Sequence, residues 1–228
     1  MSDSAGGLLR DRAGAVALRA WGHRHATRLS LLALVSIACF IAMAGWVQVA
    51  RGGLDWGRAT LSLYLHGPWG LGLRTMYCVL AAAITALGVS LYAAMPVGRR
   101  SIAPSLLFAV AAVGLCGVAI GDSWLPELAP LLAPLVHGVS ALTAFLCVTV
   151  AMLLQSAYLR HDPRWGGRWQ WPMVLAWASF VLLWVHVLVR ATPRGAGQKL
   201  VIALILGWLL LLALDLYRHS RNRVADSA

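Results

Sequence analysis

The sequence predicts an all-α, polytopic membrane protein: a bundle of six transmembrane helices with both termini in the cytoplasm. Of its 228 residues, 60% are hydrophobic and only 12% are charged, whereas a soluble globular domain carries about a quarter charged residues. Six apolar runs each reach the roughly 20 residues that a helix needs to cross a bilayer. The predicted spans are Ser30–Ala50, Gly70–Met95, Ile102–Gly121, Leu131–Ser156, Trp171–Val189 and Gln198–Tyr217.

The distribution of basic residues predicts the orientation. The formal net charge is +11, and cytoplasmic loops of membrane proteins are enriched in Lys and Arg. With the N-terminus inside, the inner segments hold 13 of the 19 Lys and Arg residues, and the other six are Arg51, Arg58, Arg74, Arg190, Arg194 and Lys199. No basic face is interleaved with aromatic residues, which argues against nucleic-acid binding.

Two basic segments flank the predicted bundle of residues 30–217. Residues 1–29 form an N-terminal tail that is either a short amphipathic helix on anionic headgroups or a frayed segment. Residues 218–228 form a basic cytoplasmic tail. The first span resembles a signal peptide, with "AMA" at 42–44, but its apolar residues continue to Ala50, so we expect an uncleaved span.

Polar side chains collect at the outer ends of the spans. Such groups are costly in hydrocarbon and usually face the bundle interior or a wet cavity. Asp122 ends the third span, His137 lies in the first two turns of the fourth, and Gly138 beside it predicts a close helix approach. We therefore expect an outer-leaflet polar pocket, with the candidate ligand-binding residues Ser62, His66, Arg74, Asp122, His137, His186, Arg190, Gln198 and Lys199.

This pocket is expected to bind a lipid headgroup or a small amphiphile, so membrane lipids are the expected partners. Basic side chains would contact a phosphate, and other polar groups would donate and accept hydrogen bonds. The basic side chains are Arg74, Arg190 and Lys199, and the hydrogen-bonding groups are Asp122, His137 and Gln198. Two other roles stay open: Asp122 could pair with Arg190 across the bundle, and His137 could be a neutral histidine bonded to a neighbouring helix. A protein partner or a homo-oligomer also stays open.

The outer connection "LSLYLHGPWG", residues Leu61–Gly70, alternates apolar and polar residues. This pattern fits an extended segment or a short interfacial helix, which Gly67 and Pro68 would end. We expect the segment to cover the region of Asp122 and His137 as a lid.

Catalytic alternatives depend on the same histidines. A zinc-dependent membrane hydrolase would use His66, His137, His186 and Asp122, although no HxxxH or HExxH spacing supports it. The SxxxH of Ser62 and His66 resembles the first motif of the alkaline-ceramidase-like membrane hydrolases, but the chain lacks their later HxxxH pair and has six spans rather than seven. Haem b could be held between His137 and His186.

The sequence favours binding without a cofactor over catalysis, because no GxSxG, Walker or GxGxxG motif is present. A structural helper subunit is a further alternative. At the inner end of the last span, Asp215 is expected to form a local ion pair with Arg218.

Three stretches resemble markers of the domain-of-unknown-function 998 family of six-span bacterial and archaeal membrane proteins. They are "LSLYLHGPWGLGLRTMY", "AIGDSWLPELAPLLAPLVHGVSALTAFL" and "GAGQKLVIALILGWLLLLAL". The matching positions are Ser62, Asp122, His137 and Gln198. Lys199 stands where the family tends to have Arg, and "RTMY" replaces the family's Phe-Asn. The resemblance implies a six-helix bundle with an outer polar pocket in the bacterial cytoplasmic (inner) membrane, and it implies no activity.

Overall fold

A computed structural model describes residues 3–95, 101–189, 191 and 193–225. Within these ranges, side-chain surroundings are described for all but residues 3–24, 124 and 223–225. The described chain is helical, and no strand occurs in it. Its long helices are α1 (Asp3–Ala50), α2 (Gly70–Ala94), α3 (Ala103–Leu128), α4 (Ala133–Leu159), α5 (Gln170–Leu188) and α6 (Arg194–Ala225).

The prediction of an all-α fold with six spans is confirmed. Six helical stretches are long and apolar enough to cross a membrane, one for each long helix, and the fifth begins in the 3₁₀ turn that precedes α5. Each stretch begins and ends within about five residues of the prediction. These stretches are His25–Ala50, Gly70–Ala94, Ala103–Ser123, Ala133–Leu159, Gly166–Leu188 and Arg194–Asn222. The orientation of the termini stays a prediction.

The basic flanking segments continue the outermost helices. Helix α1 runs without a break from Asp3 to Ala50, so neither a separate short helix nor a frayed tail precedes the first span in the described chain. Helix α6 likewise continues through Ala225. Both helices therefore extend beyond their spans at the same end of the bundle.

Helices that follow one another in the chain pack together, and α1 also packs against α6. The bundle is therefore closed around a core shared by all six helices. Trp208 of α6 is fully buried in that core, 5.8 Å from the Phe108 ring of α3 between ring centroids. Its indole Nε1 donates a hydrogen bond of 3.0 Å to Ser156 Oγ of α4, which satisfies the donor of a buried indole.

Helices α3 and α4 approach each other closely at Gly114. A Cβ at this position would lie 2.7 Å from the main-chain oxygen of Ser140 and 2.8 Å from the nitrogen of Ala144. Only a glycine allows two helix backbones to approach so closely. The predicted approach at Gly138 is wrong, because Gly138 is exposed and a Cβ there would meet nothing within 4 Å.

Two ends of the bundle matter for function. The His66 end contains the connection 51–69 between α1 and α2 and the connection 129–132 between α3 and α4. The Arg168 end contains the connection 160–169 between α4 and α5, which includes a short 3₁₀ helix, Gly166–Trp169.

Asp215 lies near the Arg168 end of α6. Its predicted ion pair with Arg218 does not form, since none of the ion pairs among the described residues includes Asp215.

Candidate functional site

The central feature of the His66 end is the contact between Asp122 of α3 and His137 of α4. His137 Nδ1 lies 3.1 and 3.0 Å from the two carboxylate oxygens of Asp122, whose side chain is only 7% exposed. A carboxylate only accepts hydrogen bonds, so Nδ1 carries the proton, and Nε2 is an acceptor when the imidazole is neutral. No described residue hydrogen-bonds to this Nε2, which is therefore left for a ligand.

The His66 side chain, from the connection between α1 and α2, lies near the same Asp122 carboxylate. Its Nε2 lies 3.8 Å from Asp122 Oδ2, which is outside hydrogen-bond distance, and its side chain is 51% exposed. The imidazole therefore sits at the rim, close to Asp122 and open to the surroundings. His66 directly follows the 3₁₀ helix Leu61–Leu65, which we call the lid helix.

The lid helix is held at both of its ends. At its start, the backbone N–H of Leu61 donates a hydrogen bond of 2.7 Å to the side-chain oxygen of Gln198 in α6. At its end, Arg51 donates through Nη1 to the main-chain oxygen of His66 at 2.6 Å. The main chain at the end of the lid helix packs directly on Gly70 of α2, so that a Cβ on Gly70 would overlap the main-chain oxygen of Leu65. These contacts fix where the lid presents Ser62 and His66.

Two adjacent spaces open beside the Asp122–His137 pair. The first, which we call the groove, has a volume of about 430 Å³. It is lined by polar side chains and by three prolines spaced four residues apart. Its polar lining residues are Thr60, Ser62, His66, Asp122 and His137, and its prolines are Pro126, Pro130 and Pro134.

The second space, which we call the cavity, has a volume of about 80 Å³ and lies between α1, α2, α3, α4 and α6. Its lining is mostly apolar and includes Phe40, Ile84, Leu115, Phe145 and Ile202. Ser62 and His137 line both spaces. A groove that carries several polar side chains therefore adjoins a more apolar cavity at these two residues.

The predicted basic residues lie elsewhere. Arg74 donates through Nη1 to the main-chain oxygen of Asp122 at 3.3 Å, and Lys199 donates to the main-chain oxygen of Trp56 at 2.8 Å. Neither side chain lines the groove or the cavity. Arg190 lies outside the described residues, and so does its predicted pairing with Asp122.

His186 is not part of this cluster. Its Nδ1 is buried and has no hydrogen-bond partner among the described residues. It faces α6, where a Cβ at Gly197 would lie 2.9 Å from it. His186 lines neither space, so nothing in this arrangement supports a haem held between His137 and His186.

The zinc alternative and the Ser–His pair gain no support from these positions either. Within the described residues, no group of three or more His, Cys, Asp or Glu side chains could hold a metal ion. Ser62 Oγ lies 3.1 Å from Thr60 Oγ1, and it forms no hydrogen bond with His66.

The candidates chosen from the sequence include neither the groove-lining Thr60 and prolines nor two residues of the lid region, Tyr64 and Arg51. Tyr64 of the lid helix is fully buried, and its hydroxyl has no hydrogen-bond partner among the described residues. Cations lie near its ring, Arg51 at 5.6 Å and Lys199 at 5.5 Å from the ring centroid. The sequence shows Arg51 as a basic residue directly after the first span. The burial of Tyr64 could not be predicted, because it depends on how the lid helix packs against the bundle.

Residues 47–215 match the family described as "Protein of unknown function (DUF998)", a range that covers more than half of the chain. The chain belongs to this family. No curated protein and no solved structure matches it. The matched range includes every groove-lining residue of this DUF998 protein, and the resemblance seen in the three sequence stretches is thereby confirmed.

Proposed function

We propose that this DUF998 protein binds a membrane amphiphile, with the polar headgroup in the groove and the adjoining part of the apolar chain in the cavity. The observation that carries the proposal is that Ser62 and His137 line both spaces. A molecule with one polar and one apolar part fits such a pair of spaces. By the predicted orientation, the groove faces the outer leaflet of the cytoplasmic membrane.

The volumes limit how much of the chain the cavity takes. An apolar cavity of about 150 Å³ holds a benzene molecule, so the cavity of about 80 Å³ admits only a few carbons without rearrangement. A groove of about 430 Å³ lies within the usual size range of small-molecule sites.

The groove chemistry favours a headgroup that donates hydrogen bonds. The Asp122 carboxylate and His137 Nε2 are acceptors, and the hydroxyls of Thr60 and Ser62 both donate and accept. The cations Arg74 and Lys199 make their hydrogen bonds to main-chain oxygens instead. An uncharged headgroup with hydroxyl or amide donors therefore fits this groove better than the phosphate that the sequence suggested.

Native mass spectrometry of the purified protein tests this proposal, with 1-monooleoylglycerol as an uncharged probe that carries two hydroxyl donors. The wild type is expected to bind one equivalent. His137→Leu removes an acceptor and fills the junction of the two spaces, so it should weaken binding about tenfold or more, the effect of losing one good hydrogen bond to a buried partner.

Two variants serve as matched controls. His186→Leu removes a histidine at the same end of the bundle that lines neither space, and Lys199→Met removes a cation that binds a main-chain oxygen. Both should bind the probe like the wild type. Failure of the wild type to bind the probe or any endogenous amphiphile at one equivalent, or an equal loss in His186→Leu, would contradict the proposal.

A further inference from the structure

A second recess, at the Arg168 end, is separate from the groove and does not depend on its proposed function. It lies between the start of α5 and the last turns of α6 and has a volume of about 370 Å³. Charged side chains and an apolar wall face each other across it. Its lining includes Arg168, Trp171, Leu211, Leu214, Asp215 and Arg218.

The recess contains two available cations. Arg168 and Arg218 are both exposed at its mouth. The Arg168 guanidinium stands 5.8 Å from the Trp165 ring centroid and uses one donor on the main-chain oxygen of Arg164, which leaves most of its five donors free for an anion. Arg164 itself is not available, because Asp162 binds its guanidinium.

The recess also contains one carboxylate. Asp215 is half-buried and makes no hydrogen bond or ion pair with a described residue, although Arg164, Arg168 and His219, the last of which also lines the recess, attract it over a longer distance. Charged groups inside membrane helices are costly and are usually paired. The Asp215 carboxylate therefore has unused capacity to accept hydrogen bonds from a donor within the recess.

The apolar wall faces the lipid. Trp171 is 70% exposed and Leu214 is 39% exposed, and both line the recess together with Leu211. Indole side chains favour the headgroup level of a bilayer. A lipid that places its headgroup in the recess can therefore lay an acyl chain along this wall.

We propose that this recess binds the headgroup of a zwitterionic aminophospholipid, phosphatidylethanolamine in class. The phosphate lies against Arg168 and Arg218, and the primary ammonium donates to the Asp215 carboxylate. The start of α5 adds the positive end of its helix dipole to the phosphate side. By the predicted orientation, this lipid belongs to the cytoplasmic leaflet.

The carboxylate separates this class from other lipids. An anionic headgroup such as phosphatidylglycerol brings a phosphate to the two arginines but offers Asp215 only neutral hydroxyl donors, which bind a carboxylate less strongly than an ammonium does, and its net negative charge is repelled by Asp215. A choline headgroup carries a positive charge but has no N–H to donate. Only a headgroup with both a phosphate and a primary ammonium gives each of the three side chains a hydrogen-bonding partner of opposite charge.

Native mass spectrometry of the full chain, with lipids of identical acyl chains, tests this inference. The wild type is expected to bind phosphatidylethanolamine about tenfold more tightly than phosphatidylglycerol or phosphatidylcholine, as one charge-assisted hydrogen bond predicts. Asp215→Asn should abolish the preference over phosphatidylglycerol. Arg218→Gln should weaken the binding of both phosphatidylethanolamine and phosphatidylglycerol. Arg221 is an exposed cation on the same helix outside the recess, so Arg221→Gln should weaken the binding of neither lipid.

Two results would overturn the inference. One is a wild-type protein that binds phosphatidylglycerol at least as tightly as phosphatidylethanolamine. The other is an unchanged preference in Asp215→Asn while that variant keeps the wild-type unfolding temperature. A competition experiment adds soluble phosphoethanolamine in excess to the protein with bound phosphatidylethanolamine. The soluble headgroup is expected not to displace the lipid. Full displacement would also overturn the inference, because the recess would then recognise the free headgroup rather than a membrane lipid.

Discussion

His137 Nδ1 of α4 contacts both carboxylate oxygens of Asp122 in α3, at 3.1 and 3.0 Å. This contact joins two consecutive helices at the His66 end, where His137 lines both the groove and the cavity.

The first prediction concerns the strength of this contact. Asp122→Ala leaves Nδ1 of His137 without its acceptor, and His137→Ala leaves a buried carboxylate without its donor, so each single variant should lower the free energy of unfolding by about 1–3 kcal/mol. The double variant should cost less than the sum, with a coupling energy of about 1–3 kcal/mol. Unfolding of the four proteins in one detergent measures this. Strict additivity of the two single effects would show that the contact contributes nothing.

A second prediction concerns the lid helix. Gln198→Ala removes the acceptor of the Leu61 N–H, so the start of the lid should open more often and hydrogen exchange across residues 61–65 should become faster. Gln48→Ala is the matched control, because the Gln48 amide donates only to Ala44 of its own helix. Equal exchange rates in the wild type and Gln198→Ala would mean that the lid is held by other contacts.

How much could be predicted from the sequence differs between these features. The six spans were predictable because every residue that faces lipid must be apolar over a length fixed by the bilayer. The residues around Asp122 could be chosen as polar groups at one end of the bundle. Their pairing could not, since it depends on the rotation of α3 and α4 about their axes, which hydropathy alone leaves open.

The glycines illustrate the same limit. Gly138 beside His137 and Gly114 in α3 look equivalent in sequence, as small residues in apolar runs. Only the packing shows that Gly114 faces α4 and that Gly138 is exposed. The surroundings of Arg74 and Lys199 were unpredictable for a related reason: both are basic residues at the predicted end, yet nearby main-chain oxygens accept their hydrogen bonds.

A third prediction follows from those two glycines. Gly114→Ala places a Cβ against the backbone of α4 and should lower the unfolding temperature, with a cost of about 1–3 kcal/mol from the forced separation of the helices. Gly138→Ala should be neutral or stabilising by up to about 1 kcal/mol, because alanine favours the helix and meets no neighbour. Thermal unfolding in detergent compares them. Similar unfolding temperatures for the two variants would contradict the assigned packing.

A fourth prediction concerns orientation, which rests on the Lys and Arg count alone. Green fluorescent protein fused to the C-terminus should fluoresce, and alkaline phosphatase fused after Ala129 should be active, because the first folds in the cytoplasm and the second outside it. Exchanging the two reporters provides the control. A fluorescent fusion after Ala129 together with an active phosphatase at the C-terminus would reverse the orientation and place the groove on the cytoplasmic side.

The central claim is that an amphiphile occupies the groove and the cavity together. Photo-crosslinking in native membranes tests it most directly, with a 1-acylglycerol that carries a diazirine close to its ester. Occupancy of the cavity predicts that mass spectrometry finds the label on the cavity-lining residues Ala141, Phe145 and Ile202, and that His137→Leu removes it. Labelling confined to lipid-exposed side chains such as Val113, Leu135 and Val139, unchanged in His137→Leu, would contradict the claim.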